Sequence, residues 1–487
     1  CRPMPRSVGS SATRQTTGTP PSVTSSRSAD GAGGAAQPGV ASTDATATTA
    51  SMRAAGATVR AAGAAIAARM RASAGEATAA AAARRTATAL RPRRWVTIVF
   101  VKIAYISDTY LPETNGIVTA IVRHTRGLGK RGHEFLILCP RYGADDPGGE
   151  GPVRVERYRA LSAASNAETH VALPSLSRMA RMLREFGPDI IHVHTPLPIG
   201  VSGVIAAKRL GVPLVQTYHS YVPGFMQYAG LTRLLKLDRG PRHTKETWFS
   251  WFLTRALYDR SDLVLAPSRA LVELLRRHGL KPPARDYTNG IDLAEFPPKA
   301  HWGLRRRIMH CGRLGFEKNT EVVVEAYARF AAGRGGWQLH LLGEGPAEHY
   351  LRELIERLGI GDQVRFEGFV SREHLAESYR EADIYATAST IETQGIVVLE
   401  AMASGTPVVG VDALAVPEMA THERDGFMVA PYDPDAMASA FARLADDDAL
   451  RERIGRACIE DVQRHELGAA VESLEAIYTD LLAESRR

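Results

Sequence analysis

Cysteine is scarce in this 487-residue chain. The four present (Cys1, Cys139, Cys311, Cys458) are widely scattered, and no Cys-x-x-Cys pair occurs. That pattern supports neither a disulfide scaffold nor a thiolate zinc site, and it fits a reducing compartment, so a cytoplasmic location is expected. Long apolar runs are missing too: no uncharged apolar run approaches the roughly 18 residues of a membrane span, which excludes a multi-pass transporter. Aromatic side chains make up only 7% of the chain, and residues 1–94 contain none. A segment of Ala, Thr, Ser, Gly and Arg cannot bury enough apolar surface to offset the entropy of ordering. Residues 1–96 are therefore expected to be a disordered low-complexity extension. Their Arg- and Ser-rich, acid-poor composition partly matches a transit peptide. The plainer expectation is a non-native extension, because the chain begins with Cys and Val101 would suit an alternative start.

Beyond that segment there is no excess of positive charge. The formal net charge is +7, but residues 1–100 hold 13 Arg and three acids, a balance of +10, leaving −3 for the remainder. The basicity belongs to the leading segment, and no nucleic-acid partner is expected for the folded body. The 387 residues after position 100 suit two domains at roughly 150 residues each.

What is there, from Val101 onward, is an alternation of short apolar runs and amphipathic stretches. Val101–Ser107, Glu134–Cys139, Asp189–Val193, Pro213–Thr217 and Leu263–Ala266 read as buried parallel strands, with helices at Gly116–Arg131, Leu176–Phe186, Gly200–Leu210 and Arg269–His278. A second series has strands at Arg307–Cys311, Gln338–Leu342, Val364–Glu367, Asp383–Ala386, Pro407–Val411 and Phe427–Val429. Such alternation implies an α/β chain with parallel sheets covered on both faces. Asp292–Arg306, with Pro297, Pro298 and Gly303, reads as the connection between two Rossmann-like domains, 97–297 and 298–465, followed by a C-terminal helix, 466–487. In such sheets ligands bind beyond the carboxyl ends of the strands, so the chemistry is expected where the two domains face each other across a cleft.

Two constellations lie at such positions. In STIETQGIVVLEAMASGTPVVG, Ser389–Gly410, Glu392 stands in a strand-to-helix loop and Glu400 a turn or more into the helix. Gly395 lets backbone approach a ligand, and the amides of Gly395, Ile396 and Val397 form a helix start that can receive phosphate. Glu400 can accept from vicinal hydroxyls, as a ribose presents. The bland alternative is two exposed acids at a helix start. In HCGRLGFEKNT, His310–Thr320, Arg313 and Lys318 flank a loop after a strand and can neutralise a diphosphate; the alternative is a solvated basic loop.

Taken in order, these elements resemble the family 4 glycosyltransferases of GT-B fold. The E-x7-E element, the GRL…EKN loop, LLGEGP (Leu341–Pro346) and VRFEGFV (Val364–Val370) carry the likeness in the second half. PETNGIVT (Pro112–Thr119), RGH (Arg131–His133), PDIIHVHTP (Pro188–Pro196), TYHS (Thr217–Ser220) and NGID (Asn289–Asp292) carry it in the first. The resemblance implies that Arg313 and Lys318 hold the diphosphate of a nucleotide-sugar donor, Glu400 the ribose and Glu392 the sugar. Gly116 would approach the phosphate from the first domain, and His219 would lie near the donor sugar. It also implies retention of anomeric configuration, no catalytic metal or cofactor, and a C-terminal helix that crosses back to the first domain.

For the acceptor, ETQG (Glu392–Gly395) and TYHSYVPGFMQY (Thr217–Tyr228) resemble diacylglycerol glucosyltransferases. The basic and aromatic stretch Thr232–Tyr258 suits an anionic membrane surface, with a core helix after a solvated basic loop as the alternative. A lipid or glycan acceptor and UDP-glucose as donor are expected, with GDP-mannose second. A UDP-sugar epimerase of the same fold and a non-catalytic nucleotide-sugar binder are the readings from other classes. His192 and His194, which share a strand face, read as structural, and Asp433 as the N-cap of the helix that follows.

Overall fold

The computed structural model describes residues 100–486 apart from 114, 144–145, 164–165, 173, 220 and 222–243. The expected disordered extension, residues 1–96, and residues 232–243 of the basic and aromatic stretch lie outside the described residues.

The first domain is built on strands β1 (Lys102–Ile106), β2 (Glu134–Pro140), β3 (Val153–Tyr158), β6 (Ile190–Val193), β7 (Leu214–Thr217), β8 (Leu263–Ala266) and β9 (Ala284–Asp286). They form one parallel sheet in the order β3-β2-β1-β6-β7-β8-β9, while β4 (Ala160–Ala163) and β5 (Asn166–Ala172) pair as an antiparallel hairpin. Helices α1 (Gly116–Gly129), α2 (Leu176–Phe186), α3 (Pro198–Leu210), α4 (Thr244–Tyr258) and α5 (Arg269–Arg277) connect the strands. The central strands are apolar almost throughout because helices cover both faces; all four residues of β6, β7 and β8 are buried. The strands absent from the sequence reading are β3, β9 and the hairpin. β3 and β9 are the edges of the sheet, where one side is wet and an alternating VRVERY or a three-residue segment suffices.

The second domain repeats the plan. Strands β10 (Arg307–Cys311), β11 (Gln338–Leu342), β12 (Val364–Gly368), β13 (Ile384–Ala386), β14 (Val408–Val411) and β15 (Gly426–Val429) lie parallel in the order β12-β11-β10-β13-β14-β15. Between them run α6 (Thr320–Ala331), α7 (Glu348–Arg357), α8 (Arg372–Glu381), α9 (Ile396–Ala403), α10 (Val416–Met419), α11 (Pro434–Asp446) and α12 (Asp448–Asp461). Asp433 caps α11 by accepting from the Ala436 amide at 2.9 Å. In both sheets the chain starts in the middle, winds outward and returns to the other side. This leaves a switch point between β1 and β6 and another between β10 and β13, where the loops part and a ligand crevice opens. Residues 292–306, expected as a connection only, are anchored in the second domain. Phe296 is buried in its core, and the Trp302 indole donates to the Gly405 carbonyl at 2.8 Å.

The last helix, α13 (Leu467–Ser485), lies on the first sheet. Its buried Val471, Leu474, Ile477, Leu481 and Leu482 share a core with Ile103, Phe135 and Leu265. Burying each such side chain contributes about 1.5–3 kcal/mol relative to exposure. Polar contacts set the register: the Tyr478 hydroxyl lies 2.9 Å from that of Tyr105 and 2.7 Å from His192 Nδ1, and Glu475 binds Arg131 and His133. Gly127 makes the approach feasible, since a Cβ there would lie 2.4 Å from Val471 Cγ2.

Candidate active site

The carboxyl ends of β10 and β13 carry the two sequence constellations. After β10 the chain turns through Gly312 into Arg313 and a single 3-10 turn, Phe316–Lys318. The LLGEGP element supports this loop from beneath. Leu314 N–H donates to the Glu344 carbonyl at 2.9 Å, and a Cβ on Gly343 would fall 2.1 Å from the Gly312 carbonyl oxygen, so only glycine admits that approach. The dinucleotide-like look of GEGP thus reflects backbone crossing backbone rather than a fingerprint.

Lys318 and Glu392 meet across this edge, with Nζ 2.6 Å from Oε1. Burial raises the Glu392 carboxyl, but the charge and hydrogen bond of Lys318 outweigh it and hold the group below the usual carboxylate range. Arg313, half exposed, reaches toward Glu317 at 3.4 Å. Beyond Glu392, Gly395 takes φ 78° and opens α9 without a side-chain cap. Left-handed backbone at that point favours glycine. Open amides and the helix dipole therefore meet the end of the cation-bearing loop. The facing helices of the first domain are differently arranged: Asn115 accepts from the amides of Ile117 and Val118, and buried Asp108 accepts from Ile199 and Gly200 at the start of α3. Those positions already hold an acceptor; among the described residues the start of α9 has no side-chain cap.

Glu400 is buried, 3% exposed, which removes the reading of two exposed acids. Its oxygens are not bare, as a simple ribose-holding carboxylate would be. Oε1 accepts from Arg372 Nη1 at 3.0 Å and Oε2 from the Tyr379 hydroxyl at 3.2 Å. An ionised carboxylate offers about four lone-pair sites, so acceptor capacity remains. Burial pushes its pKa up, and Arg372 opposes this.

The first domain supplies the opposite wall. A Cβ on Gly116 would come within 4.0 Å of Ile396 Cδ1, so the glycine start of α1 faces the start of α9. His219 lies at the end of β7; its carbonyl accepts from the Thr393 hydroxyl at 2.8 Å, and its Nε2 is 3.0 Å from His194 Nδ1. Burial drives its pKa down to about 3, so the ring is neutral at ordinary pH. His192 and His194, read as structural, stack on each other at 4.1 Å, and His194 joins that buried pair to His219. Gln394 completes the junction, accepting from Asn289 Nδ2 at 2.6 Å and donating to Thr288 Oγ1 at 2.7 Å. The structure thus brings Gly116, His219, Lys318, Glu392, Gly395 and Ile396 to one junction, with Arg313 on the loop after β10 and Glu400 further into α9. Sequence reasoning missed Asp108, Arg372, Tyr379, Thr393 and Gln394 as participants. Thr393 and Gln394 sit inside ETQG and were within reach, whereas nothing local marks Arg372.

Two doubly wound sheets meet at their carboxyl edges, with cations and open amides on one wall, and this is the GT-B architecture. Residues 114–295 match the family described as Glycosyltransferase Family 4, and residues 296–461 the family described as Glycosyl transferases group 1. The chain belongs to these glycosyltransferases. It is 31% identical to a GDP-mannose-dependent alpha-mannosyltransferase of Mycobacterium tuberculosis, over 69% of this chain and 87% of that one. It is 27% identical to an alpha-monoglucosyldiacylglycerol synthase of Streptococcus pneumoniae, over 63% and 70%. Among solved structures, HepE of Anabaena in complex with UDP and glucose superposes with TM-score 0.62 at 20% identity, over 78% of this chain and all of that one.

Proposed function

We propose that the protein is a retaining hexosyltransferase that moves a sugar from a nucleoside-diphosphate sugar to an acceptor hydroxyl, with UDP-glucose as donor and a membrane lipid such as diacylglycerol as acceptor. The observation that carries the reading is the junction of Lys318, Glu392 and the uncapped start of α9, facing Gly116 and His219. The diphosphate lies between Arg313, Lys318 and the amides of Gly395 and Ile396, which stabilise the charge that grows on the leaving phosphate. Glu400 takes the ribose. Lys318 leaves Glu392 as the donor arrives, and Glu392 accepts from sugar hydroxyls. His219, neutral, acts as a hydrogen-bonding wall rather than as an acid. The acceptor attacks on the face the nucleotide leaves, and the departing phosphate takes its proton. The countercharge resides on Arg313 and Lys318, so the scheme uses no catalytic metal.

The lipid acceptor draws support from α4, whose Trp248 and Phe252 are exposed and stack at 5.9 Å, and from the likeness to the alpha-monoglucosyldiacylglycerol synthase of Streptococcus pneumoniae. Side-by-side exposed aromatics suit a membrane interface. No helix among the described residues is long and apolar enough to cross a membrane, so the contact proposed is peripheral, at the inner, cytoplasmic face. GDP-mannose is the second reading, favoured by the name of the Mycobacterium tuberculosis relative.

Transfer from UDP-glucose and GDP-mannose, each with diacylglycerol vesicles, soluble glycans or no acceptor, tests the whole. The expected result is an α-linked glycolipid from UDP-glucose. Turnover confined to GDP-mannose replaces the donor, turnover confined to soluble glycans replaces the acceptor, and epimerised nucleotide sugar without transfer replaces the class.

A further inference from the structure

Glu400 is the end of an ionic chain that starts in the other domain. Arg123, on α1, donates through Nη1 to the Gly290 carbonyl and through Nη2 to Glu295, each at 3.0 Å. The same Glu295 oxygen accepts from Arg372 Nη2, and Arg372 Nη1 reaches Glu400. Arg372 is held from a third side by Phe296, whose ring centroid lies 4.9 Å from Cζ. A guanidinium anchored at both nitrogens and over an aromatic face has little rotamer freedom left, so it presents one N–H to Glu400 in one geometry.

We infer that Arg372 is a positioning residue for Glu400, and that Glu295, shared between Arg372 and Arg123, ties the donor-binding carboxylate to the seating of the two domains. This rests on the reading of Glu400 as a donor-binding group. The groups facing Glu400 are Arg372 and Tyr379 on α8, Arg123 on α1, Cys311 on β10 and Tyr385 on β13. Burial pushes the Cys311 thiol up to about 12 and both tyrosines well above their ordinary range, so these are neutral. Arg372 and Arg123 are the charges that oppose the upward pull of burial on Glu400. A protonated Glu400 loses acceptor capacity toward a diol, so the relay sets both the aim and the ionisation of the carboxylate.

The test is calorimetric binding of UDP, and separately of GDP, to the full chain from about pH 6 to about pH 9, with donor KM and kcat alongside. Arg372→Gln is expected to weaken binding about tenfold at neutral pH. The defect should deepen as pH falls and shrink as it rises, because removing the cation raises the Glu400 pKa further. Arg372→Lys should restore most of the affinity, and Glu295→Gln should raise KM a few-fold with kcat nearly unchanged. Glu400→Gln separates the layers. If it leaves nucleotide binding intact, the donor role of Glu400 is wrong. If it weakens binding while Arg372→Gln and Glu295→Gln do not, Glu400 stands and the relay falls. A pH-independent loss in Arg372→Gln, not rescued by Lys, marks Arg372 as merely structural and also overturns the inference. Should Arg372→Gln fail to fold, the Lys and Glu295 variants decide.

Discussion

Lys318 Nζ stands 2.6 Å from Glu392 Oε1, joining the loop after β10 to the loop before α9. Both side chains are mostly buried, and in the proposed scheme each takes a partner in the donor, so this pair has to open as the donor binds.

Lys318→Ala is therefore expected to act twice. Losing a charge-assisted contact to the donor phosphate costs about 1.5–3 kcal/mol, or roughly ten- to a hundred-fold in transfer efficiency. It also removes the cation that holds Glu392 below the ordinary carboxylate range. A depressed folded pKa gives stability that is present at neutral pH and lost as pH falls through the folded value. The melting temperature of the variant should thus lie below that of the native chain at neutral pH, and the gap should close in acid.

Arg313→Ala and Glu400→Gln should divide between turnover and affinity. In the proposed scheme Arg313 faces a phosphate whose charge grows as the bond breaks, so its loss should fall mainly on kcat. Ribose changes little in the reaction, so Glu400→Gln should fall mainly on donor KM. Each effect is expected at roughly ten- to a hundred-fold, read from steady-state kinetics with melting curves unchanged. Near-native kinetics in both variants and in Lys318→Ala would remove the donor-site assignment.

Chelation is expected to leave turnover intact, because Arg313 and Lys318 carry the countercharge in the proposed scheme. Assays with and without EDTA, after exhaustive dialysis, check this; activity lost and restored by a divalent cation would refute it.

Tyr478→Phe should destabilise the fold by about 1–3 kcal/mol. Its hydroxyl serves both Tyr105 and His192 in a fully buried position, and phenylalanine leaves those groups without it. Denaturant unfolding measures the loss; an unchanged midpoint would mean the helix is held by its apolar face alone.

The repeating apolar strands were legible because a strand buried on both faces has to be apolar along its length. Every interior strand of both sheets was found from that pattern alone. The edges β3 and β9 were not, since a half-wet strand mixes charge into the pattern and a three-residue strand has no period. The positions of the GRL…EKN and E-x7-E candidates were legible because each is a local device, a loop after a strand or a helix start.

The chain carries this local grammar in its residue pattern: two doubly wound domains, a glycine at the start of α9, cations after β10 and acids beside and within the helix. The partnerships came from the folded arrangement. Arg123 reaches Glu295 across 172 positions of sequence, and Thr393 reaches the His219 carbonyl across 174. Arg372 meets Glu400 only because α8 and α9 pack side by side. The physical reason is range. Periodicity and turn chemistry act over a few residues and leave a trace in composition, whereas the pairing of buried charges depends on which surfaces the sheets bring together.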